Sequence, residues 1–227
     1  MINATLIDSM GSDLSVVNAA RVSFGKTSEM DMSDPWGPPR LKEKDAKLIR
    51  YLAKHKHISP FGHAFASFHV KAPIFVARQL VKHSYLRWNE VSRRYIDDEP
   101  EFYVPDVWRG KSADKKQGSS DEEVNVAYYD RDDGYNDWPT DANSVALEAY
   151  QEMIKLGVAP EMARMVLPQS TMTEFYWSGS LDAFAAMCRL RCAIDTQYES
   201  RVVADQISEK MTELFPVSWD ALVKENN

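Results

Sequence analysis

One short polar run carries residue types that bind anions and hydrogen-bond to small molecules. The segment KHSYLRWNEVSRRY (82–95) contains an Asn, a Glu and a Ser together with Arg87, Arg93 and Arg94, all set among apolar residues. Arginines in apolar surroundings need an anion, because an unpaired buried charge costs several kcal/mol. The composition of this segment therefore predicts a local binding site rather than an ordinary surface loop.

Two further arginines lie in apolar helical patterns later in the chain. Arg164 falls within PEMARMVLP. Arg191 falls among apolar residues of a later helical pattern. An internal salt bridge to Glu161 or Asp195 would satisfy them, and spacing alone leaves that alternative open. The other interpretation is a phosphate held by both arginines and Arg94, because a guanidinium group fits two phosphate oxygens at once. The sequence contains no Walker loop and no dinucleotide-binding glycine pattern.

The histidines and cysteines raise the question of a metal site. All five His residues fall between positions 55 and 83, but the first group, HKHISPFGH, has no Cys or carboxylate at ligand spacing. The two cysteines, Cys188 and Cys192, form neither a disulfide framework nor a zinc pattern. We predict no metal site and two reduced, partly buried thiols, with redox or metal roles for the thiols as the alternatives.

Composition indicates an acidic globular protein. The chain has 227 residues, a net charge of −7 at pH 7 and 44% hydrophobic residues, which suits one domain with a real core. Excess acidity argues against a nucleic-acid partner, because duplex binding relies on Lys and Arg. No leader pattern opens the sequence, and no apolar run approaches the roughly 18 residues of a spanning helix. We therefore expect a cytoplasmic protein without a membrane partner.

Periodicity predicts the elements that position these groups in the first half of the chain. Helical spacing predicts a short helix within residues 9–25 and a second helix over 42–55. Strict alternation over 63–73 predicts a strand that ends at Pro73. Helical spacing then returns over 74–86. Four residues of that helix are expected near one face, namely Gln79, Lys82, His83 and Leu86.

The second half of the chain begins with a polar stretch. Residues 109–143 are rich in Gly, Ser and Asp and predict a long loop that is either functional or mobile. A helix over 144–157 is expected to end at Gly157, and a short helix to begin at Pro160. A long helix is predicted from about Leu181 to Leu214.

Four segments together resemble the flavin-dependent thymidylate synthase (ThyX) family. In chain order they are HISPFGHAFASFHVKAPIFVARQ, NEVSRRY, GVAPEMARMVLP and LRCAIDTQYE. The likeness runs from about Ser12 to Met211 and breaks only at residues 109–143. It implies a single α/β (α+β) domain over residues 1–227, with 109–143 as an insertion and a central, mostly antiparallel sheet flanked by helices. It also implies a homotetramer whose active sites form between subunits.

The resemblance further implies a reaction and its reactants. Members of this family methylate C5 of deoxyuridylate, converting dUMP to dTMP. Methylenetetrahydrofolate donates the carbon, FAD acts as carrier and reductant, and NADPH supplies the electrons. The partners implied for this chain are therefore a small nucleotide and a folate.

The nucleotide half of the family site is nearly complete in this chain. Matched by position, the nucleotide-binding residues are Gln79, Glu90, Ser92, Arg94, Arg164 and Arg191. The resemblance implies that the three arginines hold the phosphate and that the other three residues face the sugar and the base. His57 matches the active-site His of the family, and Asn89 matches its motif Asn. The catalytic residues implied are His57, Glu90, Ser92 and Arg94.

The flavin half departs from the family pattern. Where the family motif begins R-H-R-x-x-S, this chain has Lys82, His83 and Ser84, followed by Arg87. Other flavin-contacting positions are occupied here by Gly62, Ser180, Asp182, Ala186 and Asp195. The two aspartates replace cations of the family and would repel a pyrophosphate. Either the flavin sits differently, with Lys82, His83 and Arg87 as ligands, or it is absent. The cofactor-binding residues implied are Ser59, Lys82, His83, Arg87, Asn89, Ser180 and Asp195.

Three functional hypotheses follow. The first is a dUMP methylase with a rearranged flavin site. The second is a related enzyme that hydroxymethylates or otherwise modifies C5 of dUMP or dCMP without flavin as reductant. If water rather than hydride is added after the one-carbon transfer, the product is a hydroxymethyl group and no flavin reductant is needed. The third is a catalytically silent nucleotide-binding homologue. Neither cysteine has the Pro-Cys context of the other thymidylate synthase family, so covalent activation by a thiol is not expected.

Overall fold

The fold is built around one antiparallel sheet. In the computed structural model, which describes residues 1–113, 118–130 and 134–223, four strands form this sheet. They are β1 (Asn3–Met10), β2 (Phe65–Pro73), β3 (Leu86–Glu90) and β8 (Met172–Ser180). Their order is β1-β2-β8-β3, and each neighbouring pair is antiparallel. The predicted α/β (α+β) fold class with an antiparallel sheet and flanking helices is confirmed.

Helices occupy much of the remaining described chain. They are α1 (Asp13–Arg21), α2 (Glu43–Lys54), α3 (Ile74–Leu80), α4 (Trp138–Lys155), α5 (Pro160–Ala163), α6 (Leu181–Arg191), α7 (Tyr198–Leu214) and α8 (Pro216–Val223). Short 3-10 turns cover Val22–Phe24, Ser59–His63 and Arg164–Val166. Among the described residues, no helix is long and apolar enough to cross a membrane.

The period-two pattern of β2 decides which face of the sheet is buried. Ala66, Phe68 and Val70 point into the core, where Phe175 and Trp177 of β8 join them. Helices α6 and α7 pack against the strands on this side. The opposite face is polar and partly exposed, with Ser67, His69, Lys71, Glu174, Tyr176 and Ser178.

The prediction of one long helix from Leu181 to Leu214 is wrong, because the helix is interrupted between α6 and α7. Helix α6 ends at Arg191, and α7 begins after Gln197, its N-cap residue. Polar side chains satisfy carbonyls around the break. The Thr196 hydroxyl donates to the Leu190 carbonyl at 2.9 Å, and Arg201 donates to the Ile194 carbonyl at 3.1 Å. Apolar periodicity continues across this segment, so it gives no sign of the break.

The polar stretch at 109–143 contains regular structure where it is described. It forms two antiparallel pairs, β4 (Arg109–Lys111) with β5 (Ser119–Glu123), and β6 (Ala127–Asp130) with β7 (Gly134–Asp137). Helix α4 starts inside the stretch, since the Asp137 carboxylate accepts a hydrogen bond from the Thr140 N–H at 2.9 Å. The prediction of a long loop is therefore wrong for these parts, while 114–117 and 131–133 lie outside the described residues.

The cysteines are both free. Cys188 is buried in α6 and its Sγ donates to the Ala204 carbonyl at 3.5 Å, whereas Cys192 is half-buried. Burial, followed by its neighbour Cys192, raises the pKa of the Cys188 thiol well above its ordinary value. Cys188 is thus a packing residue of the core rather than a reactive thiol. In the part of the chain that the structure describes, no group of three His, Cys, Asp or Glu side chains is placed to hold a metal ion.

Candidate active site

A cavity of about 360 Å³ opens beside the ends of β3 and β8, and we name it the Arg164 cavity. Three of the four segments quoted above meet in it, contributing Ile74, Glu90 and Arg164. Its wall consists of Lys71, Ile74, Glu90, Val91, Arg93, Ile96, Asp98, Glu99, Glu101, Arg164, Leu167, Thr171, Met172, Thr173 and Glu174. Cations and carboxylates therefore share this cavity.

Glu90 is held in place in the Arg164 cavity by two donors. Its Oε1 accepts from the Thr173 hydroxyl at 2.8 Å, and its Oε2 accepts from the Trp88 indole N–H at 3.1 Å. Trp88 is fixed in turn by stacking on Phe175, with ring centroids 3.6 Å apart. A carboxylate has lone pairs left after two such bonds, so Glu90 can still accept a hydrogen bond from a ligand.

Other charges in the Arg164 cavity are already paired. Lys71 lies 2.7 Å from Glu101 and 3.7 Å from Glu174, and the hydrogen bond that Lys71 donates to Glu101 is the main reason why the pKa of Lys71 is raised. Arg93 donates to the Asp98 carbonyl at 2.9 Å and lies 3.7 Å from its carboxylate. These pairs leave Arg164 as the lining cation best able to take an anionic ligand.

Arg164 is exposed, so the prediction of an arginine held among apolar residues is wrong for it. Its Nε donates to the Glu161 carbonyl at 3.3 Å, while the Glu161 carboxylate lies 3.7 Å from Arg94 Nε. The Ser92 hydroxyl accepts from the Arg94 N–H at 3.4 Å. Arg94 and Ser92 thus lie near Arg164, although the cavity wall itself is formed by their neighbours Val91 and Arg93.

A second group of site residues forms a cluster of side-chain hydrogen bonds, which we name the Arg191 cluster. It joins α3, the turn after α3, the end of α6 and the start of α7. Its members are Gln79, His83, Arg191, Gln197 and Ser200. The break between α6 and α7 is what brings Gln197 and Ser200 to Gln79.

Arg191 is fixed by two neutral acceptors. Its Nε donates to His83 Nε2 at 3.0 Å, and its Nη2 donates to the Gln79 carbonyl at 3.3 Å. The predicted alternative of a salt bridge to Asp195 is not formed among the described residues. Partial burial lowers the pKa of Arg191 from its ordinary value, but far too little to remove its charge at neutral pH. A half-buried guanidinium without a carboxylate is suited to binding an anionic ligand.

His83 is neutral in this arrangement, because its Nε2 accepts a hydrogen bond and its remaining proton must lie on Nδ1. Burial and the charge of Arg191, in that order, lower the pKa of His83. His83 also borders a second cavity, so its hydrogen bond with Arg191 connects the Arg191 cluster to that cavity.

A cavity of about 410 Å³ lies on the far side of His83, and we name it the Lys82 cavity. It is lined by Ile58, Lys82, His83, Ser84, Tyr85, Asp182, Ala183, Ala186, Arg189 and Leu222. The Asp182 Oδ1 atom is buried and has no hydrogen-bond partner among the described residues. These side chains therefore suit a ligand with two kinds of group. Its phosphates would accept from Lys82 and Arg189, and an amino or hydroxyl group would donate to Asp182. FAD has this combination.

Several residues predicted for the cofactor lie elsewhere. Arg87 and Asn89 are on β3, paired in register with Ser178 and Tyr176 of β8. Ser180 is the N-cap residue of α6, and Asp195 lies in the break between α6 and α7. Ser59 follows Ile58, which lines the Lys82 cavity.

His57 lies outside both the Arg164 cavity and the Arg191 cluster. It is exposed just beyond α2, where its ring stacks with that of Tyr51 at a centroid distance of 6.4 Å. Its neighbour Ile58 lines the Lys82 cavity, whereas His57 itself is not part of the lining.

The structure adds residues that the sequence patterns did not indicate. Gln197 and Ser200 contact Gln79, and Lys71, Arg93 and Glu174 line the Arg164 cavity. The alternation of β2 could have assigned Lys71 to a polar sheet face. Gln197 gives no such sign, because its position depends on the helix break.

The sheet, the arginine-bearing cavity and the Arg191 cluster define an α/β enzyme with cations placed for an anionic substrate. Residues 5–217 match the family model described as thymidylate synthase complementing protein, Thy1. The chain is 40% identical over 220 residues to the flavin-dependent thymidylate synthase of Thermus thermophilus, covering 95% of this chain and 73% of that protein. Its identity to the enzyme of Thermosipho melanesiensis is 35% over 229 residues, with 97% and 90% covered.

A solved structure agrees with these relatives. The UMP/dUMP methylase PolB from Streptomyces cacaoi, bound with 5-Br dUMP, matches with a TM-score of 0.75 and 33% identity, covering 97% of this chain and 94% of PolB. The chain therefore belongs to the Thy1 family, and the predicted resemblance to flavin-dependent thymidylate synthases is confirmed. It is an enzyme of this kind.

Proposed function

We propose that this enzyme methylates dUMP at C5 to give dTMP, with methylenetetrahydrofolate as carbon donor, FAD as carrier and reductant, and NADPH as electron source. The observation that carries the proposal is Arg191, a half-buried cation held by His83 and Gln79 without a carboxylate partner. Such a group is suited to the 5′-phosphate of a nucleotide. The family relatives named above support the choice of reaction.

The substrate-binding roles follow from the chemistry of each group. Arg191, Arg164 and Arg94 bind the phosphate. The Glu90 carboxylate, oriented by Thr173 and Trp88, accepts from a hydroxyl or ring N–H of the nucleotide. Ser92 and Gln79 supply the remaining hydrogen bonds to the sugar and the base.

The site is completed between subunits of a homotetramer. The Arg164 cavity and the Arg191 cluster share no lining or hydrogen-bonded residue. One nucleotide can therefore contact both sets if they come from different subunits that face each other. In a two-fold symmetric interface a residue i of one subunit contacts a residue j of the other and the reverse, so such a shared site occurs twice at each interface.

FAD is assigned to the Lys82 cavity. Lys82 and Arg189 hold its phosphates, and Asp182 accepts from an amino or hydroxyl group of the cofactor. When bound, FAD supplies the carrier and reductant of the reaction. His57, which lies beside this cavity, is placed to contact the folate or the flavin rather than the phosphate.

A second candidate is folate-dependent hydroxymethylation of dUMP or dCMP without flavin as reductant. The observation that favours it is Asp182, whose carboxylate lies in the same cavity as the proposed pyrophosphate ligands. A negative charge there weakens the binding of FAD relative to a site that has only cations.

Tritium release and product mass test the two reactions. Purified enzyme is incubated with 5-tritiated dUMP or dCMP and methylenetetrahydrofolate, with and without FAD and NADPH. Release of tritium is expected from dUMP, because C5 loses its proton in both reactions. A product heavier by one methyl group that requires FAD and NADPH supports the methylase. A hydroxymethyl product formed without them supports the second candidate, and no release with either nucleotide overturns both.

A further inference from the structure

The side-chain amide of Gln79 is held at both of its ends. Its Nε2 donates to Gln197 Oε1 at 2.5 Å, and its Oε1 accepts from the Ser200 hydroxyl at 3.1 Å. Ser200 is 0% exposed, so water does not compete for its hydroxyl. Gln79 itself is only half-buried, and Arg191 donates to its backbone carbonyl. The amide is thus oriented before any ligand binds.

These contacts limit what Gln79 can offer to a ligand. A primary amide has two N–H donors and two acceptor lone pairs. Gln197 uses one donor and Ser200 uses one lone pair, so one N–H and one lone pair remain. Together they can pair with a base edge that presents one acceptor and one donor.

The two pyrimidines present that edge in opposite order. Uracil has an acceptor at O4 next to a donor at N3–H, whereas cytosine has a donor at N4 next to an acceptor at N3. For a base whose O4 or N4 edge is held against Gln79, an amide in a fixed orientation therefore pairs with only one of them. If Gln79 turned over alone, its Oε1 would face Gln197 Oε1, and two acceptors at 2.5 Å repel each other. Gln79 can turn only if Gln197 turns as well.

We propose that Gln197 and Ser200 are positioning residues that fix the orientation of the Gln79 amide and thereby set the pyrimidine selectivity of the enzyme. The proposal rests on the proposed function, in which Gln79 contacts the base. Gln197 and Ser200 act through Gln79 and do not touch the substrate. The Arg191 cluster then has two tasks, since one side binds phosphate and the other orients the amide.

Two substitutions at residue 197 separate this role from a purely structural one. Gln197→Ala removes the acceptor and leaves Gln79 able to turn. Gln197→Glu has nearly the same shape and offers only acceptors, so it keeps Gln79 Nε2 directed toward residue 197. Ser200→Ala removes the second contact without adding bulk and serves as an independent variant.

The experiment measures binding of dUMP and dCMP to the full chain by calorimetry, with thermal unfolding as a check on folding. We expect Gln197→Ala and Ser200→Ala each to reduce the ratio of the two Kd values by about fivefold to tenfold, the scale of one neutral hydrogen bond. Gln197→Glu should retain the wild-type ratio. Arg191→Lys should weaken both nucleotides by a similar factor, because they share the phosphate.

Each other outcome overturns the proposal in a recognisable way. An unchanged ratio in both alanine variants, with wild-type binding intact, overturns the positioning role alone. If Gln197→Glu and Gln197→Ala reduce the ratio of the two Kd values equally, the positioning role is also overturned. Wild-type enzyme that binds both nucleotides equally has no selectivity to set, and wild-type enzyme that binds neither also overturns the proposed function.

Discussion

The Arg191 cluster and the Arg164 cavity differ in how far they are organised before a ligand binds. Arg191 is half-buried and donates to two fixed acceptors, whereas Arg164 is exposed and contacts one backbone carbonyl. Ordering a free arginine on binding costs side-chain entropy, which a pre-oriented arginine has already lost. If the proposed phosphate site is correct, we expect Arg191 to determine where the phosphate lies and Arg164 to join it afterwards.

The two regions also differ in charge. Carboxylates of Glu90, Glu101 and Glu174 line the Arg164 cavity together with its cations. The Arg191 cluster contains one cation and no carboxylate. An anionic ligand is therefore repelled in part by the first region and attracted by the second. In the proposed tetramer, the opposing surface of a partner subunit would supply the cations that the Arg164 cavity lacks for a phosphate.

The largest expected effect is the loss of dUMP binding when Arg191 or Arg164 is replaced by alanine. We expect Arg191→Ala to weaken dUMP binding by about 2–5 kcal/mol, because a half-buried and pre-oriented charged partner is lost. Arg164→Ala should cost less, about 1.5–3 kcal/mol, the scale of a hydrogen bond to a charged group. Calorimetry with dUMP measures both values, and deoxyuridine, which lacks the phosphate, is the control. Equal losses for nucleotide and nucleoside would contradict the phosphate assignment.

Mixing the two weakly binding variants at a low dUMP concentration tests whether the regions come from different subunits. The Arg164→Ala and Arg191→Ala proteins are unfolded together, refolded at a 1:1 ratio and assayed for tritium release. If a site takes one region from each of two subunits, about a quarter of the sites regain both arginines by random assembly. Activity is expected to rise from background toward that fraction. A mixture that stays at background, while refolded wild type recovers, contradicts the shared site.

The pH dependence of stability tests how Arg191 is held. His83 is neutral when it accepts from Arg191, and its pKa is lowered by burial and by that charge from an ordinary 6.5. The unfolded chain therefore binds the proton more readily than the folded one. The contribution of His83 to stability is complete above pH 6.5 and is lost as the pH falls through the lower pKa of the folded state.

His83→Gln is the matched variant for this measurement. Its Oε1 offers Arg191 an acceptor but does not titrate. We expect urea unfolding curves of the wild type to show a loss of stability below pH 6.5 that the variant lacks. A variant with the same pH profile as the wild type would show that His83 is not the titrating group.

The smallest effect is expected at Glu161. Its carboxylate lies 3.7 Å from Arg94, and both side chains are about half exposed, so the pair contributes at most about 1 kcal/mol to stability. Glu161→Gln releases Arg94 from this competitor. We expect dUMP binding to improve by about threefold at low salt and the gain to disappear at high salt. Weaker dUMP binding in this variant would place Arg94 away from the phosphate.

The sequence predicted the elements that rest on local patterns. Strict alternation located β2, and helical spacing located α2 and the start of α6. It did not find the end of α6, because Leu190 and Ile194 continue the apolar spacing past Arg191. Beyond Arg191 the carbonyls of Leu190 and Ile194 accept side-chain hydrogen bonds from Thr196 and Arg201, and spacing carries no information about these bonds.

Site prediction was limited in a similar way. The resemblance named Gln79 and Arg191, and the structure joins them in one cluster. It did not name Gln197 or Ser200, whose contacts exist only after the chain turns between α6 and α7. Burial of Arg164 was predicted from apolar neighbours such as Met162 and Met165, yet these residues are exposed in the single chain. In the proposed tetramer a partner subunit would cover them, and apolar spacing in one chain does not distinguish such a contact from burial in the core.

The packing around His83 provides an optical signal. Its ring centroid lies 6.4 Å from that of Trp177, which is 1% exposed in the core. A protonated imidazole near an indole quenches its fluorescence, whereas a neutral one has little effect. Emission of Trp177 should therefore report whether His83 is charged, and with it whether Arg191 is held in place. Trp177 is therefore a spectroscopic probe of the hydrogen bond that holds Arg191.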